Sequence, residues 1–320
     1  MARAVNGNLD VLKMVLAIIV VVGHSKFLGG NTTTIGYLLS AGLLRAAVPV
    51  FFIINGYFMA RAMSSGPSMR QWLVRVLWLY LFWMLVYSPF YVDDFSLATL
   101  VGVIKKLIIG YFHLWYLVGM IGGGVLVYLL RQQSSRVILT LALTCFGIGL
   151  VMQYMRVYVV VPNEFAQHWL EQDYTARNFL FMGFPFVAIG YLMARHDIPQ
   201  KVSRAQVWCF LIVGLLVLEL ESWRNMHHQV NLDLNFDFLF GIILVAPAVF
   251  LLPFCYPRPS QNRWLGTLSS AVYFVHPLFL FGLTAMGMPF GNLLAISVLA
   301  LALVVSPLII LAGRRFPFIL

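Results

Sequence analysis

Two ionisable side chains share the first apolar run of this chain, at a spacing suited to chemistry. The run LDVLKMVLAIIVVVGHSKFL, residues 9–28, carries Lys13 near its start and His24 eleven residues later. On a helix rising ~1.5 Å per residue, the two stand about 16 Å apart. Ionisable groups within a membrane span cost several kcal/mol on most scales, so each needs a partner or a function. A cation at one end can hold an anionic ligand. A neutral imidazole at the other can take a proton from a hydroxyl at physiological pH. Gly23 lets a neighbouring helix or ligand come close to His24. A histidine hydrogen-bonded for structural reasons near an interface would look the same, and position alone leaves both readings open.

Further candidates recur along the chain. Arg45 lies within LLRAAVPVFFIINGYF, and a guanidinium that cannot discharge itself needs an anionic ligand, water or a glutamate beside it. Pro49 and Asn55-Gly56-Tyr57 in the same run predict a kinked or locally opened helix, tolerable where it lines a protein cavity. HLWYL brings His113, Trp115 and Tyr116 to the start of a later run, at an expected membrane interface where Trp and Tyr are ordinary belt residues. Arg177 opens RNFLFMGFPFVAIGYLMAR, while Glu219 and Glu221 approach the end of another run and call for cationic partners such as Arg45 or Arg177. In SSAVYFVHPLF, Ser269, Ser270, Tyr273 and His276 enter an apolar span; Tyr273 and His276, three apart, share a helical face. His276 also reads as a packed structural histidine beside a Pro277 kink. Taken together these residues describe a polar cavity crossing a helical bundle.

The elements that must position them are transmembrane helices. The 320 residues are 61% hydrophobic and only 10% charged, with mean hydropathy +0.89. Soluble domains carry about 25% charge, so the composition is that of an integral membrane protein. Long apolar runs, each near the ~20 residues a bilayer needs, predict about ten spans. They cover 9–28, 35–60, 71–91, 113–130, 137–158, 177–195, 206–224, 236–256, 265–287 and 290–312. Asp10 and Lys13 interrupt the first run and no small-residue cleavage site follows it, so it reads as a helix and not a signal peptide. Leu97, Leu100, Val101, Ile104, Leu107 and Ile108 fall on one helical face beside Lys105 and Lys106, the pattern of a helix lying in the interface. The expected fold is all-α, a polytopic membrane bundle, with residues 1–320 forming a single domain. Cys145, Cys209 and Cys255 are far apart and read as buried apolar residues, with neither a disulfide framework nor a metal site expected.

Basic residues orient the bundle. Even-numbered connections and the termini, from Arg3 to Arg315, hold 13 of the 21 Lys and Arg; odd-numbered connections hold six, and Lys13 and Arg45 lie within spans. Asp93, Asp94, Glu164, Glu171, Asp173, Asp233 and Asp237 gather on the odd side. Positive-inside bias predicts both termini in the cytoplasm, Lys13 near the cytoplasm and His24 in the outer half. This topology accounts for the net charge of +10, and nucleic acid is not an expected partner.

With these residues in view, the chain resembles the membrane acyltransferase-3 family, bacterial enzymes that O-acylate sugars and related acceptors. The resemblance runs through LDVLKMVLAIIVVVGH, RAAVPVFFIINGYF, HLWYL, RNFLFMGFPFVAIGYLMAR and WLGTLSSAVYFVHPLF. The family's first-helix signature is a basic residue, ten residues, then histidine. Lys13 and His24 fit it with lysine where arginine is usual, keeping the charge but losing the bidentate fork. Asn55-Gly56-Tyr57 stands where the family has Ser-Gly-Tyr. The resemblance implies acyl-CoA, most simply acetyl-CoA, as a cytoplasmic donor bound through Lys13 and Arg45. It implies His24 as general base, and an acceptor hydroxyl on a surface or exported polysaccharide or its lipid-linked precursor. His113, Trp115, Tyr116, Arg177, Glu219, Tyr273 and His276 would line the substrate path, in a bacterial cytoplasmic membrane. The alternative is a transporter of a small anionic or sugar substrate, using intramembrane Arg and His residues. Many transporters are built from repeated halves, and no such symmetry is visible in this sequence.

Overall fold

The first helix, α1 (Gly7–His24), is fixed at its start by a side chain and a backbone pair. Asn6 caps it by accepting from the Asn8 amide at 3.1 Å and donates its own amide to the Pro253 carbonyl at 2.8 Å. Val5 and Asn6 pair antiparallel with Ser260 and Pro259, which ties this end to a connection some 250 residues on. The protein is described from a computed structural model covering residues 5–65, 68–94, 96–159, 162–229, 236–260 and 262–320; Arg3 and Asp233 of the charge pattern lie outside these.

After α1 a 3₁₀ turn, Phe27–Thr32, leads to α2 (Thr34–Ser40), and a second, Leu43–Ala46, leads to α3 (Ala47–Ser65). Next come α4 (Met69–Tyr87), α5 (Leu97–Ile109), α6 (Trp115–Leu130), α7 (Ser135–Tyr158), α8 (Glu164–Glu171) and α9 (Asp173–Ala176). A π turn, Phe179–Gly183, opens α10 (Phe184–Arg195); then follow α11 (Ile198–Lys201), α12 (Arg204–His228), α13 (Ile242–Cys255), α14 (Trp264–Ala285) and α15 (Asn292–Arg315). The fold is all-α and polytopic. Among the described residues eight helices are long and apolar enough to cross a bilayer, and Phe179–Arg195 and Ile242–Cys255 are shorter apolar helices at the remaining two expected spans.

One span differs from its expected form. The second apolar run breaks at 41–46, ahead of the residues that suggested a kink, and α3 then runs unbroken through Pro49 and Asn55–Tyr57. Pro49 lies in the first turn of α3, where a missing N–H removes no helical bond.

α10 lies along α3 with the two backbones in contact. A Cβ on Gly56 would strike the Val187 backbone, and one on Gly190 would strike that of Ile53. Small residues are how helices approach closely when lipid supplies no hydrophobic driving force between them. α1 packs on α14, and α5 lies outside the bundle. No residue of α5 is buried, its apolar face Leu97, Leu100, Val101, Ile104, Leu107 and Ile108 is exposed as expected, and Tyr80 donates to its Leu107 carbonyl at 2.8 Å. Of the three cysteines only Cys255 is buried; Cys209 is exposed on α12, because the outer faces of these helices are apolar too.

Candidate functional site

His24 closes α1, and a second histidine sets its protonation. His276, in the middle of α14 and fully buried, approaches the Tyr273 carbonyl at 2.7 Å and the Val272 carbonyl at 3.2 Å through Nδ1. A carbonyl only accepts, so His276 Nδ1 carries the proton and its Nε2 presents a lone pair. That Nε2 lies 2.9 Å from His24 Nδ1, which therefore donates. The remaining atom, His24 Nε2, keeps its lone pair. His24 faces a cavity of about 430 Å³. A neutral imidazole so held is a proton acceptor of fixed tautomer, aimed into space that a substrate can occupy. Phe112, in the left-handed conformation (φ 47°), sets its ring 4.6 Å from that of His24, tilted by 45°. Positive φ is unusual for a bulky residue and clusters at functional sites.

The far wall of this cavity is charged. The break between α2 and α3 turns Arg45 sideways, so that Nε donates to the Ser40 carbonyl at 2.6 Å and Nη1 to Asp237 at 2.7 Å. Arg177 reaches Asp237 at 3.6 Å and Asp173 at 3.1 Å, and its guanidinium lies over the Trp115 ring at 5.2 Å. Arg156 holds Asp173 from behind at 2.7 Å. Burial raises the Asp173 carboxyl, but Arg177, Arg156 and Arg45 outweigh it and hold it below its ordinary value. Lys26, in a left-handed turn, stands at the mouth over the Phe290 ring.

Lys13 lies elsewhere. It pairs with the buried Asp10 at 3.1 Å and lines a separate pocket of about 230 Å³ with Asn55, Phe58, Tyr116, Ser269, Ser270 and Tyr273. Lys13 and Arg45, expected together on one ligand, thus border different spaces. His113 and Tyr116 are buried instead of sitting in an interfacial belt. The His113 ring packs among Tyr87, Tyr273 and His276, and its carbonyl accepts from the Tyr273 hydroxyl at 3.0 Å.

The glutamates also depart from expectation. Glu219 faces an apolar groove beside Leu38, Leu215 and Trp223, and Glu221 accepts from Tyr154 at 2.5 Å and from the Phe240 and Gly241 amides. The 236–241 segment brings Asp237 to Arg45 and Arg177. Asp173 and Asp237 line the His24 cavity, Arg156 pairs with Asp173 and Asp10 with Lys13, and none of the four stood out as a candidate in the sequence. As charges near span ends they read only as topology, and a buried partner is the one signal that sets them apart.

The model of a family described as an acyltransferase domain, the acyltransferase 3 family, matches residues 6–311. The chain is 24% identical over 297 residues to a protein of Enterococcus faecalis named amino-acid racemase. It is 26% identical over 300 residues to one of Enterococcus gallinarum named serine/alanine racemase. Each match covers 87% of this chain but 41% of the relative, so the chain spans less than half the length of these proteins. No solved structure matches.

Proposed function

Because the chain belongs to the acyltransferase 3 family, we propose that it is a membrane O-acyltransferase with His24 as its general base. The donor is acyl-CoA, most simply acetyl-CoA, presented from the cytoplasm through the Lys13 pocket. The acceptor is a hydroxyl of a surface or exported polysaccharide or its lipid-linked precursor, entering the His24 cavity from outside a bacterial cytoplasmic membrane. The observation that carries the reading is the hydrogen bond from His24 Nδ1 to His276 Nε2, which leaves the lone pair on His24 Nε2 at a residue lining the cavity.

The chemistry follows from that atom. His24 Nε2 takes the hydroxyl proton as the acceptor oxygen attacks the thioester carbonyl. The tetrahedral adduct collapses with loss of the C–S bond, and the departing thiolate recovers the proton from His24. Products are the ester and free CoA. His276 shares the positive charge that His24 briefly bears. Lys13 holds anionic groups of the coenzyme, and the ~16 Å along α1 is comparable to an extended pantetheine arm. Arg45, Arg177 and Trp115 orient the acceptor.

The test is thiol release from acetyl-CoA by native membranes holding the protein, whose own glycans supply the acceptor. His24→Ala should lower turnover by about 10²- to 10⁴-fold, the scale of a general base, with unchanged membrane insertion and acetyl-CoA binding. Near-parental release by that variant overturns the assignment. Lys13→Ala should raise the donor concentration needed, and Lys13→Arg should restore it, since arginine keeps the charge and adds a fork.

A second reading is transport, supported by the two separate spaces, one lined by Lys13 and the other by His24, Arg45 and Arg177. Uptake of a labelled anion or sugar into vesicles without acyl-CoA consumption would favour it over acyl transfer.

A further inference from the structure

Three rings line the side of the Lys13 pocket from which the chain continues to residues of the His24 cavity, Trp115 beside Tyr116 and Val48 one turn before Phe51. Phe51, Tyr116 and Tyr273 form a triangle, with centroids 6.0 Å apart for Phe51 and Tyr116, 5.9 Å for Phe51 and Tyr273, and 5.7 Å for Tyr116 and Tyr273. All three line the Lys13 pocket, whereas the residues just before two of them, Val48, Pro49 and Trp115, line the His24 cavity. One turn on from Tyr273 stands His276, bonded to His24. A thioester presented from the Lys13 side must bring its carbonyl through this triangle to meet an oxygen activated at His24.

The three rings are not held alike. The Tyr116 hydroxyl is bonded by the Asn55 amide, and the Tyr273 hydroxyl donates to the His113 carbonyl at 3.0 Å. Phe51 has no polar tether and is half-buried. Swinging it aside costs packing alone, while displacing either tyrosine also leaves buried polar groups unpaired. We propose that Phe51 is the specificity-determining residue for the donor: its ring limits the transferred group to short acyl chains. This rests on the acyl-transfer reading and adds to it the class of donor. With about 230 Å³ in the Lys13 pocket for the end of the pantetheine arm, each methylene beyond acetyl has to be placed against Phe51.

Thiol release from acetyl-, butyryl- and hexanoyl-CoA, measured in native membranes with their own glycans as acceptor, tests this. Phe51→Ala should raise the hexanoyl-to-acetyl rate ratio by about tenfold or more, since pocket methylenes discriminate on that scale. Phe51→Leu should fall between. Phe210→Ala, at an exposed position of α12 that lines neither space, should leave the ratio at the parental value. An unchanged ratio in Phe51 variants that still use acetyl-CoA overturns the proposal. So does an equal rise in Phe210→Ala, or loss of all activity in both Phe51 variants, which would make Phe51 a packing residue. A parent that releases no thiol from any donor overturns acyl transfer itself, an outcome distinct from an active parent with unchanged selectivity.

Discussion

His276 is buried to the last atom, and its Nδ1 proton is committed to backbone carbonyls. It therefore serves His24 only as an acceptor, and the tautomer of His24 depends on it. In the proposed reaction His276→Phe removes that acceptor, frees the imidazole to rotate or change tautomer, and should lower kcat by between about 10²- and 10⁴-fold, as when a catalytic histidine loses its orienting partner. His276→Gln supplies an amide oxygen in place of the ring nitrogen and should recover a large part of the loss. The KM for acetyl-CoA should stay unchanged in both, because His276 does not border the Lys13 pocket. A parallel fall in protein abundance that explains the whole loss, or a KM effect equal to the kcat effect, would assign His276 to packing. His24 and Lys13 were legible from residue type and spacing within one helix. The bond between His24 and His276 was not, since it joins residues 252 apart and no local pattern encodes it.

At the scale of elements, the unbroken hydropathy of the second run hid the break that matters. Ala41 to Ala46 are as apolar as a helix interior, apart from Arg45, and the conspicuous Pro49 and Asn55-Gly56-Tyr57 pointed to the wrong place. The cause is tertiary: a turn here brings Arg45 to Asp237, and the gain of a charge-assisted bond offsets lost helical ones. A similar clamp joins α7 to α9 and the residue that closes it, where Arg156 and Arg177 share Asp173. The Asp173 pKa is depressed, so its contribution to stability is present above the unfolded carboxyl value near ~3.9 and is lost as pH falls through the lower folded value. Asp173→Asn should reduce Tm at pH 7, with the deficit constant down to about pH 5 and shrinking below about pH 4. Thermal unfolding in detergent across that range checks it. A deficit that grows as the pH falls would mean that Asp173 is not held as the anion.

At the scale of the whole molecule, run length located eight helices of spanning length and two shorter apolar ones among the described residues, and the structure adds how their ends meet. The Val5–Asn6 pairing with Pro259–Ser260 puts the starts of α1 and α14 at one end. At the other end, the Gly291 amide donates to the Ser25 carbonyl at 2.9 Å, joining the start of α15 to the end of α1. Arg204 belongs to the first end, over the Tyr256 ring at the close of α13; Arg156, Asp173 and the α8 segment belong to the second. Which end faces the cytoplasm rests on the basic residues: Arg204, Arg258, Arg263, Arg314 and Arg315 crowd the first, so the proposed donor enters there. Transfer to surface glycan in sealed right-side-out vesicles should then require acetyl-CoA loaded inside, with donor supplied only outside giving no ester. Equal transfer from outside donor would overturn either the sidedness or the cross-membrane route, and labelling separates the two. With Cys145, Cys209 and Cys255 replaced by serine, Arg204→Cys should resist an impermeant maleimide in intact vesicles while Glu164→Cys reacts. If that pattern holds while outside donor still works, both substrates approach His24 from the same face, and the wall of Phe51, Tyr116 and Tyr273 would be structural packing and not a passage for the acyl group.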